Sequence, residues 1–329
     1  MLNRRAIVLG LLVALACGCA AEERLGRWEG PASAAPASIA AWGAADGPGR
    51  CVHTEHYRIY TTIQDGQIVS LLPQLMEGAL MAYRQLAPEV GATDRPMDCY
   101  IFGTRAQWDV FTRRIAGPDA KVYLQIRSGG YTVGDRYALY YIGREGTLAV
   151  AAHEGWHQYV GRHFAGRLPP FLEEGIACMF ESVAWEGNLP RFNLSVNPRR
   201  AMELRKAMDA GRIQPLETML AMHAGDIVGD RMEKIDAFYA QAWAFARFLW
   251  EAENGRHRPA LQRLLADAAA GGVRDPGRSH AAAGAAWNRG AGGAMLEQYL
   301  GMSLRELDGA YRAFLHKVAY EQFSLQWRS

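Results

Sequence analysis

Residues 147 to 158 read Thr147-Leu148-Ala149-Val150-Ala151-Ala152-His153-Glu154-Gly155-Trp156-His157-Gln158. His153 and His157 stand four residues apart, a spacing that puts both on one face of a helix. Two imidazoles so placed can hold one metal ion. The carboxylate between them, Glu154, projects beside that ion, where it can take a proton from water. Two surface histidines on an amphipathic helix would give the same five letters. The flank argues otherwise, because Thr147 to Ala152 is almost entirely apolar. A helix with such a flank is expected to be buried, and unpaired buried histidines are costly.

Working outward, the next informative stretch is Leu168-Pro169-Pro170-Phe171-Leu172-Glu173-Glu174-Gly175-Ile176-Ala177. Proline suits the first turn of a helix, so a second helix is expected to open at Pro169-Pro170 and run to about Val183. That places two carboxylates in its first turns. Two histidines with one carboxylate leave one coordination position open, the composition of a catalytic rather than a structural Zn²⁺ site. Upstream, residues 56–61 alternate and are aromatic and β-branched. They read as a strand, as do 97–102, 131–132 and 136–142, the last two joined by a turn at Gly134-Asp135. Helices are expected at 66–87, 104–115 and 147–160, then near 199–211, 215–222, 232–252, 258–270 and 303–320. The Ala/Gly-rich run Gly271 to Gly293 reads as a loop. The fold class expected is α+β: a mixed sheet-plus-helix unit over 51–197, followed by a helical unit over 198–329 that completes the cleft.

HEGWHQ followed by PPFLEEGIACMFE resembles the gluzincin metallopeptidases, in particular the bacterial peptidase-MA-like families. The resemblance covers about residues 55–250 and is specific around 150–181. It implies a zincin-like fold, a Zn²⁺ cofactor and a peptide or protein substrate. His153, His157 and Glu174 would be the metal ligands, with Glu173 in the variable position before Glu174. Glu154 would be the general base of peptide-bond hydrolysis. Some members of the clan carry an Asp four residues after the ligand Glu. Here Cys178 stands there, and Glu181, on the same helical face as Glu174, is the expected substitute for orienting a histidine. Cys178 reads as a small buried packing residue. Phe238-Tyr239-Ala240-Gln241 is similar to the family's Tyr-x-Gln stretch, which makes Tyr239 the candidate for stabilising the oxyanion. Tyr239 also lies on an apolar helix face with Ile235, Ala242, Ala246 and Leu249, so a core role stays open. In chain order the tyrosine-rich 136–142 strand corresponds to the edge strand that zincin-like folds run beside the cleft; an ordinary strand of the sheet is the alternative. His163 and His223 are out of phase with these motifs, and His53 and His56 belong to the first strand, so all four read as bystanders. A non-catalytic exported binding or scaffold protein that keeps the fold is the alternative.

The N-terminus reads as an address. Arg4 and Arg5 precede an eleven-residue apolar run, Ala6 to Ala16, too short to span a bilayer. Ala14-Leu15-Ala16-Cys17-Gly18-Cys19 resembles a lipoprotein box in which Cys17 or Cys19 is lipidated. The chain is then exported and held on a periplasmic or cell-envelope membrane by its lipid alone; a plain secretory signal is the alternative. Residues 1–19 are the expected signal and 20–50, rich in Ala, Gly and Pro, the expected tether. The 36 Lys and Arg fall to 34 without Arg4 and Arg5, matching the 34 Asp and Glu. No basic excess remains to argue for nucleic acid as a partner. Outside the cytoplasm Cys51 and Cys99 could pair as a disulfide, and no cysteine/histidine spacing suggests a zinc finger.

Overall fold

The alternation of Tyr57-Arg58-Ile59-Tyr60-Thr61 becomes a strand buried at every second residue, because successive side chains of a strand point to opposite faces. The architecture built around it comes from a computed structural model that describes residues 34–44, 47–87, 95–222, 227, 229–273 and 291–320. In chain order the elements are β1 (Ser38–Ala44), β2 (Gly47–His53), β3 (Tyr57–Thr61), α1 (Gly66–Leu86), β4 (Met97–Phe102), α2 (Arg105–Ala116), α3 (Ala120–Tyr123), β5 (Gly130–Val133), β6 (Arg136–Tyr140), α4 (Arg144–His163) and α5 (Pro170–Met179). There follow β7 (Val183–Glu186), β8 (Leu189–Phe192), α6 (Pro198–Asp209), α7 (Leu216–Leu220), α8 (Met232–Gly255), α9 (Arg258–Ala269), α10 (Ala291–Leu300) and α11 (Leu304–Ala319).

Six strands form one mixed sheet in the order β1-β2-β3-β4-β6-β5. β3, β4 and β6 run parallel; β1, β2 and β5 add antiparallel. β7 and β8 make a separate hairpin. The fold is α+β. One face of the sheet packs beneath α1 and α4, and the buried side chains there are continuous with those of α5, α8, α9 and α11. Tyr57 and Ile59 thus belong to the same core as Phe245, Leu264 and Leu315. The other face carries a smaller aromatic cluster of Phe102, Trp108, Phe111, Tyr131 and Tyr140 under α2. No helix among the described residues is long and apolar enough to cross a membrane.

Several expectations change. The tether over 20–50 ends earlier than expected, because Ser38 to Ala44 pairs in continuous register with β2. Backbone pairing needs no hydrophobic pattern, and Trp42 anchors the strand by lying 5.2 Å from Tyr60, centroid to centroid. Residues 1–33, including Cys17 and Cys19, lie outside the described residues. Cys51 and Cys99 are free thiols. Cys51 is opposite Tyr60 and Cys99 opposite Ile59, adjacent residues of the strand between them. They therefore point to opposite faces of the sheet and cannot bond. The helix from Pro170 stops at Met179, and β7 and β8 turn about Gly187-Asn188. That Gly-Asn pair between two short runs was the hairpin signal the helical reading passed over. The loop expected through Gly293 is already helix from Ala291, while 274–290 lie outside the described residues. Finally, β6 is an interior strand, and the sheet edge beside α4 is β5.

Two glycines of the motif stretches set how closely the site helices approach their neighbours. A Cβ on Gly155 would lie 2.5 Å from the Tyr83 hydroxyl of α1, and one on Gly175 would lie 2.2 Å from the Ala242 carbonyl of α8. The second clash is with backbone and cannot be relieved by a rotamer change. Gly175→Ala is therefore expected to destabilise the fold by about 1–3 kcal/mol, the usual cost of overpacking, read as a lower midpoint in urea unfolding.

Candidate metal centre

α4 is fixed on the sheet by its own polar side chains. Gln158 donates to the carbonyls of Asp98 at 2.9 Å and Asp135 at 2.8 Å. The Tyr83 hydroxyl donates to the Ala152 carbonyl at 2.5 Å, and Tyr159 to that of Ala87 at 2.7 Å. Trp156 stacks on Tyr159 and Phe180. The face left over presents His153 and His157, as the spacing requires.

α5 brings Glu174 to them. His153 Nε2 lies 3.3 Å from Glu174 Oε2, His157 Nε2 lies 3.4 Å from the same oxygen, and the two Nε2 atoms are 3.3 Å apart. Three ligands of a tetrahedral ion at bond lengths of about 2.0–2.1 Å stand about 3.3–3.4 Å from one another. The triangle thus has the dimensions of three corners of such a tetrahedron. Glu174 Oε2 is buried and makes no hydrogen bond of good geometry, as suits an oxygen reserved for a cation. Two imidazole nitrogens and one carboxylate oxygen fit Zn²⁺ by donor type as well as by size.

Both Nδ1 atoms have carboxylate partners, which aim the Nε2 lone pairs into the triangle. His153 Nδ1 is 3.0 Å from Glu181 Oε1, and His157 Nδ1 is 2.9 Å from Glu173 Oε1. The first contact is the one expected of Glu181. The second was missed, because Glu173 had been set aside as variable. Its signal was position: consecutive carboxylates on a helix diverge by about 100° and so reach different neighbours. Glu181 is in turn gripped by Arg200, which donates to both its oxygens at 2.6 and 2.7 Å, and by Asn197 at 3.0 Å. Burial would push Glu181 up, yet Arg200 and His153 hold it well below the usual carboxylate range. His153 Nδ1, Cys178 and Glu181 form a second group of metal-ligand type. Arg200 already supplies a cation there, so the Nε2 side is the better candidate for a metal. Cys178 is buried with its thiol pushed up to about 11 by burial, an unreactive neighbour 3.9 Å from His153 Nδ1.

Arg200 is itself buried and also bonds Glu203 at 2.8 Å. Nothing in the sequence around Asn197-Pro198-Arg199-Arg200 marked it. Removing one member of a buried ion pair strands the other, at about 3–5 kcal/mol. Arg200→Leu should lower stability by that amount in urea unfolding.

Glu154 is 6% exposed. Burial pushes its carboxyl above the ordinary range, against the pull of both histidines. Its Oε2 accepts from the Thr132 hydroxyl of β5 at 2.7 Å. Burial also opposes a charge on His157, but Glu174 and Glu173 outweigh it and raise the ring to about 10. Four carboxylates, Glu154, Glu173, Glu174 and Glu181, thus surround the two imidazoles. Tyr239 is half-buried against the core. Its ring lies 6.0 Å from that of His153 and beneath Arg200 at 5.0 Å. It adjoins the site and packs the core at once. His163 is buried against Tyr159, His56 bonds Glu77 at 2.8 Å, and His223 lies outside the described residues. The described ones take no part in the triangle.

Compared with known proteins, the chain matches no protein-family model, no curated protein and no solved structure.

Proposed function

We propose that this protein is a zinc-dependent peptidase of gluzincin type with a zincin-like fold. The observation that carries the reading is the equilateral triangle of His153 Nε2, His157 Nε2 and Glu174 Oε2, with sides of 3.3 to 3.4 Å. A Zn²⁺ ion bound there supplies Lewis acidity toward a peptide carbonyl and makes water easier to ionise. Glu181 and Glu173 hold the two imidazoles in the ligating tautomer. Glu154, adjacent to His153 but outside the triangle, takes the proton of the attacking water and passes it to the departing amine. Its raised proton affinity suits that exchange, since a base too weak to hold the proton cannot deliver it. Tyr239 keeps its phenolic proton because burial pushes its pKa well up, and it donates to the carbonyl oxygen as negative charge develops. The reading extends to location: an exported protein, lipid-anchored through Cys17 or Cys19, acting on peptides at the cell envelope.

The test is a broad mixture of denatured peptides read by mass spectrometry. Wild-type protein loaded with zinc should generate new termini, a chelator should stop this, and added zinc should restore it. Cleavage that persists in chelator, or its absence from fully loaded protein, overturns the assignment.

A further inference from the structure

Glu154 belongs to a helix, yet what fixes its carboxylate comes from the sheet. The Thr132 hydroxyl donates to Glu154 Oε2 at 2.7 Å and lies 3.2 Å from the Glu154 carbonyl. Among the described residues no other hydrogen bond to that carboxylate is found. We propose that Thr132 is a positioning residue that sets the orientation of the Glu154 carboxylate, a claim that rests on the proposed role of Glu154 as the base. The terminal torsion of a glutamate is broad and roughly two-fold, so an untethered carboxylate would sample many directions. A charge-assisted bond to one oxygen removes that freedom and leaves Oε1 as the oxygen that can take the proton. Thr132 is itself held rigidly. It pairs with Tyr137 across the β5–β6 ladder, and Tyr137 is buried in the core with its hydroxyl on Met76 Sδ at 3.3 Å. The edge strand of the sheet thus reaches over α4 and grips the base. A misplacement of about 1 Å in a reacting group can cost 10²-fold in rate, so the bond matters to catalysis more than to folding.

Thr132→Val keeps the branched shape and strand preference while deleting the hydroxyl, and Thr132→Ser keeps the hydroxyl while deleting the methyl. The expected result is a fall in kcat of about 10–100-fold for the Val variant with KM unchanged, and recovery to within about threefold of wild type for Ser. All three proteins should hold about one zinc per chain. Crystal structures of the three should show one Glu154 orientation in wild type and Ser, and a displaced or divided one in Val. The proposal is overturned if Val matches wild type in kcat, if its loss falls on KM, or if Ser fails as badly as Val. Should loaded wild-type protein cleave nothing, the peptidase reading falls by itself. The structures then decide Thr132 alone, and a Glu154 unmoved in the Val variant overturns its role.

Discussion

Glu154→Gln is expected to slow peptide cleavage by about 10²–10⁴-fold, the usual worth of a positioned general base, while leaving zinc content and fold unchanged. Glutamine keeps the size and the acceptor oxygen, so the Thr132 bond at 2.7 Å can persist. What it loses is the ability to accept a proton. Because Glu154 stands outside the triangle of His153, His157 and Glu174, the metal should be retained at about one per chain. Kinetics on any peptide identified in the mixture, with elemental analysis on the same sample, reads both quantities together. A variant as fast as wild type would remove Glu154 from the mechanism. Zinc held by both proteins with cleavage by neither would favour the scaffold alternative.

Replacing both histidines, as His153→Ala with His157→Ala, should take bound zinc from about one per chain to none after dialysis in metal-free buffer. Two of three ligands disappear, and Glu174 alone cannot retain the ion against water. The same change leaves Glu173 and Glu174 without the imidazoles that face them at 2.9 to 3.4 Å. Glu181 keeps its bonds to Arg200 and Asn197, so the shell around His153 should survive while the centre empties. Stoichiometric zinc in the double variant would place the metal elsewhere and overturn the triangle as its site.

Much of this was legible in the sequence because it depends on short-range geometry. His153 and His157 share a face whatever surrounds them, since the helix period fixes it. Thr104 caps the start of α2 as its residue type suggests, and the structure adds Gln107 to complete a capping box. Gly134-Asp135 turns between β5 and β6 as read. Glu181 was legible as a histidine's partner from its spacing after Glu174, although the helix on which that reading placed it ends at Met179 and Glu181 reaches His153 from just beyond it. The rest depended on which distant segments meet. β1 carries no strand pattern of its own and exists because β2 offers it a ladder of backbone groups. Cys51 and Cys99 were separated by register, which a strand's two-residue period settles only once β3 is placed between them. Arg200 is an ordinary arginine until α6 folds it onto Glu181, and Thr132 an ordinary strand residue until β5 is laid along α4. Periodicity and capping are written residue by residue; charge pairing and the grip on Glu154 arise only when chain closure brings remote groups within bonding distance.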